Sequence, residues 1–215
     1  MLRIQIPGNT DPRNTDTGTT FIKIILIRAN WFGLNLYPSL ALHKDMKLPG
    51  TATQEENIYI AMGKLKIQPG MVFLDIGCGS GAVSMAASRY TDHIYGIDAR
   101  AEAVEVSRKK VPGGRFFEGE AAQILPDLPR IDRCFIGGTR NFESFFPLLL
   151  EKAASDFVVV VDLARIGMAH KVAALMKRAG IFQELMQIHI CRGYDLAGDL
   201  ALRPVNPIFM VVGGC

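Results

Sequence analysis

The sequence predicts an α/β fold: a mostly parallel sheet with helices on both faces and an antiparallel strand late in the chain. Three observations predict it. From Thr53 onward, short apolar runs alternate with segments of helical periodicity across short connections, which implies right-handed crossovers and parallel strands. The run Val72-Phe73-Leu74-Asp75-Ile76 empties into Gly77-Cys78-Gly79-Ser80-Gly81, with glycine at every second position and a helical pattern directly after it. In the last third the alternation stops. Two apolar segments, 182–191 and 207–213, have no helix-length apolar pattern between them, so they pair antiparallel or nearly so.

The elements follow in order. Glu55 to Leu65 reads as a helix, with Ile58, Ala61, Met62 and Leu65 on one side at three-and-four spacing. Pro69-Gly70 ends that unit, strand 71–76 follows, and its helix runs over 80–90. Strand 93–98 leads to a helix at 100–110, closed by Pro112-Gly113-Gly114. Strands at 115–118, 131–136 and 156–162 are separated by helical stretches at 121–126 and 141–153. Helix 164–180 carries Ile166, Ala169, Val172, Ala173 and Met176 on one face, and Gly180 stops it.

The bulk properties bound the function. At 215 residues the chain suits one domain, 46–215, preceded by an extension over 1–45 of different character. Gly8 to Thr20 is rich in Thr, Asn, Asp and Gly, a composition too poor in apolar surface to order itself. Phe21 to Ile27 suits an edge strand or an oligomer contact, and Met46 offers a later translation start. Phe21 to Leu42 is interrupted by Lys23, Arg28, Asn30 and Asn35, which argues against a membrane span. It also lacks the cleavage pattern of a secretory signal. A net charge of +3 is too mild to point to nucleic acid. The scattered Cys78, Cys134, Cys191 and Cys215 and the four histidines show no metal-ligand spacing, so no metal and a reducing, cytoplasmic setting are expected.

The glycine turn carries the chemistry. Glycine lets a backbone take conformations closed to other residues and come close to a ligand. Asp98 ends the next strand, 19 residues after Gly79, where an acid can meet a ribose hydroxyl pair. Together they indicate a nucleoside-containing cofactor. A dinucleotide is the rival, since Gly77-x-Gly79-x-x-Ala82 fits its fingerprint loosely. Asp75 argues against it: an acid there would repel a pyrophosphate but favour the cationic methionyl end of S-adenosylmethionine. Gly81 also lets the chain hug a nucleoside. Glu118-Gly119-Glu120-Ala121 reaches the same sheet edge, where Glu120 or a backbone group can take the adenine amino group, although Glu120 equally suits an ordinary acidic helix start.

On these residues the chain resembles the decarboxylating precorrin methyltransferases of the anaerobic cobalamin pathway, from about Leu48 to Gly213. The resemblance rests on Leu48-Pro49-Gly50-Thr51-Ala52-Thr53-Gln54-Glu55-Glu56, Glu118-Gly119-Glu120-Ala121, Phe135-Ile136-Gly137-Gly138, and Arg192-Gly193 with Asn206-Pro207. It implies a class I methyltransferase (Rossmann-like) sheet, a homotetramer, and a reaction on the tetrapyrrole cobalt-precorrin-6B. That reaction is methylation at ring carbon 15 with decarboxylation of the carbon-12 acetate. Carried over by position, Thr53 touches S-adenosylmethionine from the preceding helix and Gly77, Cys78, Gly79, Ser80 and Gly81 line its methionine end. Asp98 binds the ribose, and Ala121 takes the adenine by its backbone. Gly138, Arg140 and Arg192 fall to the substrate side. The chain departs from the family's usual pattern at Thr139-Arg140-Asn141, at Lys152-Ala153-Ala154-Ser155-Asp156 and at Val161-Asp162-Leu163-Ala164-Arg165.

Methyl transfer from a sulfonium to an electron-rich ring carbon needs positioning and exclusion of water rather than a protein nucleophile. The substrate's carboxylates call for cations, and Arg140, Arg165 and Arg192 are the candidates for a two-pronged grip. Asp162 and Asp199 are candidate acids for protonating the decarboxylated carbon, Asp162 being equally suited to cap a helix. Two other readings compete. An RNA methyltransferase would want a basic, aromatic-bearing surface, and the densest basic run is only Arg108-Lys109-Lys110. A non-catalytic subunit could keep the fold as a docking platform.

Overall fold

A computed structural model describes residues 53–215. The extension over 1–45 lies outside the described residues. The chain runs α1 (Glu55–Leu65), β1 (Phe73–Ile76), α2 (Ala82–Ala87), β2 (Ile94–Asp98), α3 (Ala101–Lys110), β3 (Arg115–Glu118) and α4 (Ala121–Ile124). A single 3₁₀ turn, Leu125–Asp127, leads to β4 (Ile131–Ile136), α5 (Phe142–Glu151), β5 (Ala153–Leu163) and α6 (Ile166–Arg178). Four strands finish it: β6 (Phe182–Ile188), β7 (Cys191–Leu196), β8 (Asp199–Pro204) and β9 (Ile208–Gly214). Among the described residues no helix is long and apolar enough to cross a membrane.

The seven-stranded sheet has the order β3-β2-β1-β4-β5-β9-β6. β1 to β5 are mutually parallel, and β9 slots antiparallel between β5 and β6. The expected late antiparallel strand is therefore β9, which separates its partner from the parallel block. Order reverses between β1 and β4, so a crevice opens outside the carboxyl ends of those strands, where such folds bind ligands.

Each sheet face carries its own apolar layer. Ile58, Ala61, Met62 and Leu65 of α1 join Phe73, Phe135, Val160, Met210 and Val212 on one face. Leu74, Ile97, Ile136, Val159 and Val161 pack on the other with the apolar faces of α5 and α6. Burial on both faces is why these strands read as continuous apolar runs.

Boundaries differ from the sequence reading at several ends. β1 begins at Phe73 rather than 71, and α2 spans six residues instead of the expected 80–90. β5 begins at Ala153, ahead of the expected 156, and β6 ends at Ile188 rather than 191. The larger departure is the hairpin β7–β8, which forms a second, two-stranded sheet where no element was expected. Its strands are almost wholly exposed, so neither carries the alternation that marks a half-buried strand. Its two-residue turn, Ala197-Gly198, has positive φ at both positions, the primed geometry that matches strand twist.

Candidate functional site

The turn after β1 is built as its glycines require. Gly77, Gly79 and Gly81 all have positive φ, at 78°, 53° and 69°. The N–H groups of Gly77 and Cys78 both donate to the Ile97 carbonyl, at 2.7 and 3.1 Å, carrying the β1–β2 pairing into the turn. On the other flank, Gly137 and Gly138 both donate to the Ile76 carbonyl, at 2.9 and 3.2 Å. The two loops meet backbone to backbone: a Cβ on Gly77 would lie 2.6 Å from the Gly138 nitrogen. This close approach explains the double glycine after β4, which sequence reasoning had assigned to the substrate side through Gly138. Gly79 differs, since a Cβ there would meet nothing nearer than 3.8 Å. The space over Gly79 is thus clear while its neighbours are locked, the geometry of a cradle.

Asp98 stands at the end of β2 and is buried. Its Oδ2 accepts from the Gly79 N–H at 2.9 Å, so the acid holds the turn directly. The Arg100 side chain reaches back over it, Nε to Oδ1 at 2.9 Å and Nη2 to Oδ2 at 3.0 Å, with the Arg100 N–H on Oδ1 at 3.0 Å. Burial by itself would raise the carboxyl's pKa, but the Arg100 and Gly79 donors outweigh it and hold the group below the usual carboxylate range. Asp98 is therefore an anion, and Arg100 is a neighbour that sequence reasoning missed.

Asp75 lies below the turn, fully buried. Ser84 Oγ donates to its Oδ2 at 2.6 Å, and its Oδ1 has no hydrogen-bond partner. Burial pushes its pKa up to about 7, against the pull of Ser84. Cys78 is buried beside Ser107, whose hydroxyl also reaches the Gly79 carbonyl at 3.3 Å. Desolvation and the nearby Asp75 push the Cys78 thiol up to about 12, so it serves as packing and not as a nucleophile.

The remaining candidates divide. Ala121 is the first residue of α4, and Glu120 is its N-cap. The Glu120 carboxylate accepts from Asn141 Nδ2 at 3.3 Å, tying the loop after β3 to the loop after β4. Asn141 itself holds a left-handed conformation, φ 55°, before α5. Thr53 is half-buried just ahead of α1, and Ser80 is half-buried in the turn. Arg140 is exposed in the loop that begins with Gly137. Arg192 is paired with Glu56 in two contacts, one of 2.9 Å between Nη2 and Oε2. This bridge from β7 to the first turn of α1 lowers the Glu56 pKa and raises that of Arg192.

Of the two candidate acids, Asp199 is exposed in the β7–β8 hairpin, its Oδ1 accepting from the Leu200 N–H at 2.7 Å. Asp162 lies within β5 and does not cap a helix, since Arg165 is the N-cap of α6. Arg165, Gly167, Met168 and Lys171 line an open depression of about 420 Å³ at the start of α6.

Comparison with known proteins assigns this arrangement. Residues 46–212 match the family model described as the precorrin methyltransferase domain. A protein of Methanosarcina acetivorans named as a probable cobalt-precorrin-6B C(15)-methyltransferase (decarboxylating) is 35% identical over 178 residues, 78% of this chain and 96% of the relative. A protein of the same name from Archaeoglobus fulgidus is 35% identical over 167 residues, 77% of this chain and 99% of its own length. Among solved structures, a precorrin 8W decarboxylase of Methanobacterium thermoautotrophicum superposes with a TM-score of 0.74 at 20% identity, covering 79% of this chain and 96% of that one. A precorrin-6Y C5,15-methyltransferase of Geobacter metallireducens gives 0.72 at 22% identity over 79% of this chain and 93% of its own. These two likenesses establish the class I methyltransferase fold, and the family match with its relatives establishes the lineage: the chain belongs to the precorrin methyltransferase family.

Proposed function

We propose that this protein transfers a methyl group from S-adenosylmethionine to ring carbon 15 of cobalt-precorrin-6B and removes the carboxyl group of the carbon-12 acetate as carbon dioxide. The observation that carries the cofactor half is the turn itself, three left-handed glycines with clear space over Gly79 and the Asp98 carboxylate behind it. The substrate half is supported by relatives that this chain covers nearly from end to end.

The residues fit the cofactor. Gly77 through Gly81 line its methionine end, above the buried Asp75 carboxyl, whose Oδ1 has no hydrogen-bond partner. Asp98 accepts from the ribose hydroxyls once the Arg100 side chain, 41% exposed, moves off the carboxylate. Ala121, by its N–H, and Glu120 border the adenine, and Thr53 closes the near side. S-adenosylmethionine supplies the electrophilic methyl group. The protein's task is to align that methyl with the ring carbon and keep water out, an effect that can supply up to roughly 7–11 kcal/mol. Gly138 sets the loop after β4 against the glycine turn at the crevice, and Arg140 and Arg165 meet the macrocycle's carboxylates. Arg192 joins them only by leaving Glu56.

We also infer a homo-oligomer, the tetramer that the family resemblance implies. The β7–β8 hairpin supports it, since Leu196, Leu200 and Leu202 are 56%, 76% and 68% exposed, more apolar surface than a solitary hairpin carries at no cost. Sedimentation velocity checks this: Leu200→Asp with Leu202→Asp shifts the protein to a smaller species.

The decisive experiment is anaerobic incubation with cobalt-precorrin-6B and S-adenosylmethionine, followed by mass spectrometry. The expected product has gained one methyl and lost carbon dioxide. An unchanged corrinoid beside demonstrated cofactor binding would leave the fold standing and remove the substrate.

A further inference from the structure

We infer that Asp162 is the acid that protonates the carbon left by decarboxylation. The inference rests on the substrate reading above and adds a residue to it. β4 and β5 are paired with Ile136 beside Val161, so Asp162 stands one step further along, level with Gly137. Side chains alternate along a strand, which puts Asp162 on the same face as Val160, beneath α1. Across the sheet its neighbour is Met210 of β9, and beyond that Met186 of β6.

Toward the glycine turn the next row position is Gly137. Gly137 has no side chain on that face: a Cβ there would lie 3.3 Å from the Phe135 ring and 3.5 Å from the Gly77 carbonyl oxygen. Gly137 itself contributes no side chain between Asp162 and the Gly77 backbone, and the edge of the Phe135 ring borders that position. This is the only row position between them, and any bulkier residue would fill it.

The acid is also held in reserve. Its Oδ1 is buried without a hydrogen-bond partner. Burial pushes its pKa up to about 6, despite an N–H from Leu163, and no cation pairs with it among the described residues. A carboxyl raised in this way carries a proton far more often near neutral pH than an exposed one does, and can give it up.

A second polar group at the same sheet edge is similarly uncommitted. α1 runs antiparallel to β6, because Lys64 pairs with Glu184 near the start of β6 while Glu56 pairs with Arg192 just past its end. The first turn of α1 thus lies at the carboxyl edge. Asn57 in that turn is fully buried with neither amide atom hydrogen-bonded. Buried polar atoms are almost always paired, so two such groups at one edge mark a place built to receive a polar ligand.

The chemistry balances without an oxidant or reductant. The bond between the acetate methylene and its carboxylate breaks, and its electron pair is held by the methylene carbon and the conjugated ring. Carbon dioxide leaves. Asp162 transfers its proton to the methylene carbon, which becomes a methyl group, and the resulting carboxylate regains a proton from solvent.

The test measures carbon dioxide released and methyl gained for the full-length protein and for Asp162→Asn and Asp162→Glu, with cofactor binding and melting temperature followed alongside. Asp162→Asn is expected to lower the ratio of carbon dioxide lost to methyl gained by about 100-fold or more, the scale of general acid catalysis. Asp162→Glu should recover part of that ratio. An unchanged ratio in Asp162→Asn, whether both steps persist or both fall together, overturns the assignment. A wild-type protein that binds the cofactor yet leaves the corrinoid untouched overturns the substrate reading and the proton donor with it.

Discussion

The two ends of the sheet are built on different principles. Around β1, β2 and β4 the backbone itself makes the site, with loops so close that only glycine fits between them. Around β6, β9 and the β7–β8 hairpin, side chains dominate, through exposed leucines and surface ion pairs. The first region tolerates almost no change of shape. The second tolerates a great deal, and if the proposed assembly and substrate grip hold, its substitutions should register there. Rigidity is concentrated at the glycine turn, and adaptability at the exposed hairpin.

The largest effect should come from Gly77→Ala. It combines a positive φ with a Cβ that would lie 2.6 Å from the Gly138 nitrogen and 2.8 Å from its Cα, backbone atoms that cannot rotate away. A cost of about 2–4 kcal/mol is expected, lowering the melting temperature by roughly 5–15 °C and abolishing cofactor binding. Gly79→Ala meets no such wall, so it should cost less stability while still weakening the cofactor. Equal melting temperatures for the two variants would erase the distinction drawn between a locked and an open glycine.

Asp98→Asn comes next. The amide keeps the shape but loses the charge that receives Gly79 and Arg100. Hydrogen bonds to charged groups contribute about 1.5–3 kcal/mol, so cofactor affinity measured by calorimetry should fall roughly 10- to 100-fold.

The pH dependence of stability is a third handle. The folded pKa of Asp75 is raised from 3.8 to about 7, and that of Asp162 from 3.8 to about 6, so the folded protein binds more protons than the unfolded chain within those windows. Stability should therefore fall as pH rises from about 4 to about 7 and change little from these groups on either side. Asp75→Asn should flatten the melting-temperature profile across that range. An unaltered profile would mean that Asp75 ionises as freely in the fold as outside it.

The smallest effect belongs to Glu56→Gln. Its partner Arg192 is exposed, and exposed ion pairs are screened by water and salt. The melting temperature should stay nearly constant, and any loss should vanish in high salt. If Arg192 serves the substrate, its release from Glu56 should lower KM without touching cofactor affinity. Arg140→Ala should raise KM, again with cofactor affinity intact.

Much of the glycine turn was legible in the chain. The spacing Gly77-x-Gly79-x-Gly81 after an apolar strand, with Asp98 at the end of the next, is local chemistry: positive φ is a property of single residues. What was not legible lay in long-range contact. Glu120 meeting Asn141 across 21 positions, and Glu56 meeting Arg192 across 136, leave no mark on either segment. The hairpin escaped because both its strands face solvent, so no burial imprints a period of two. Asp162 was a possible helix cap until the fold put it inside β5.

By itself, then, the sequence determined the alternating elements, the parallel sheet and the glycine cradle, because each depends on propensity, periodicity or the conformational freedom of one residue. Only the tertiary structure decided that β9 would enter between β5 and β6, that Gly77 would lie against Gly138, and that Asp162 would stand level with Gly137. Those are register and distance. They arise when strands far apart in the chain are laid side by side, and no local pattern encodes where such strands come to rest.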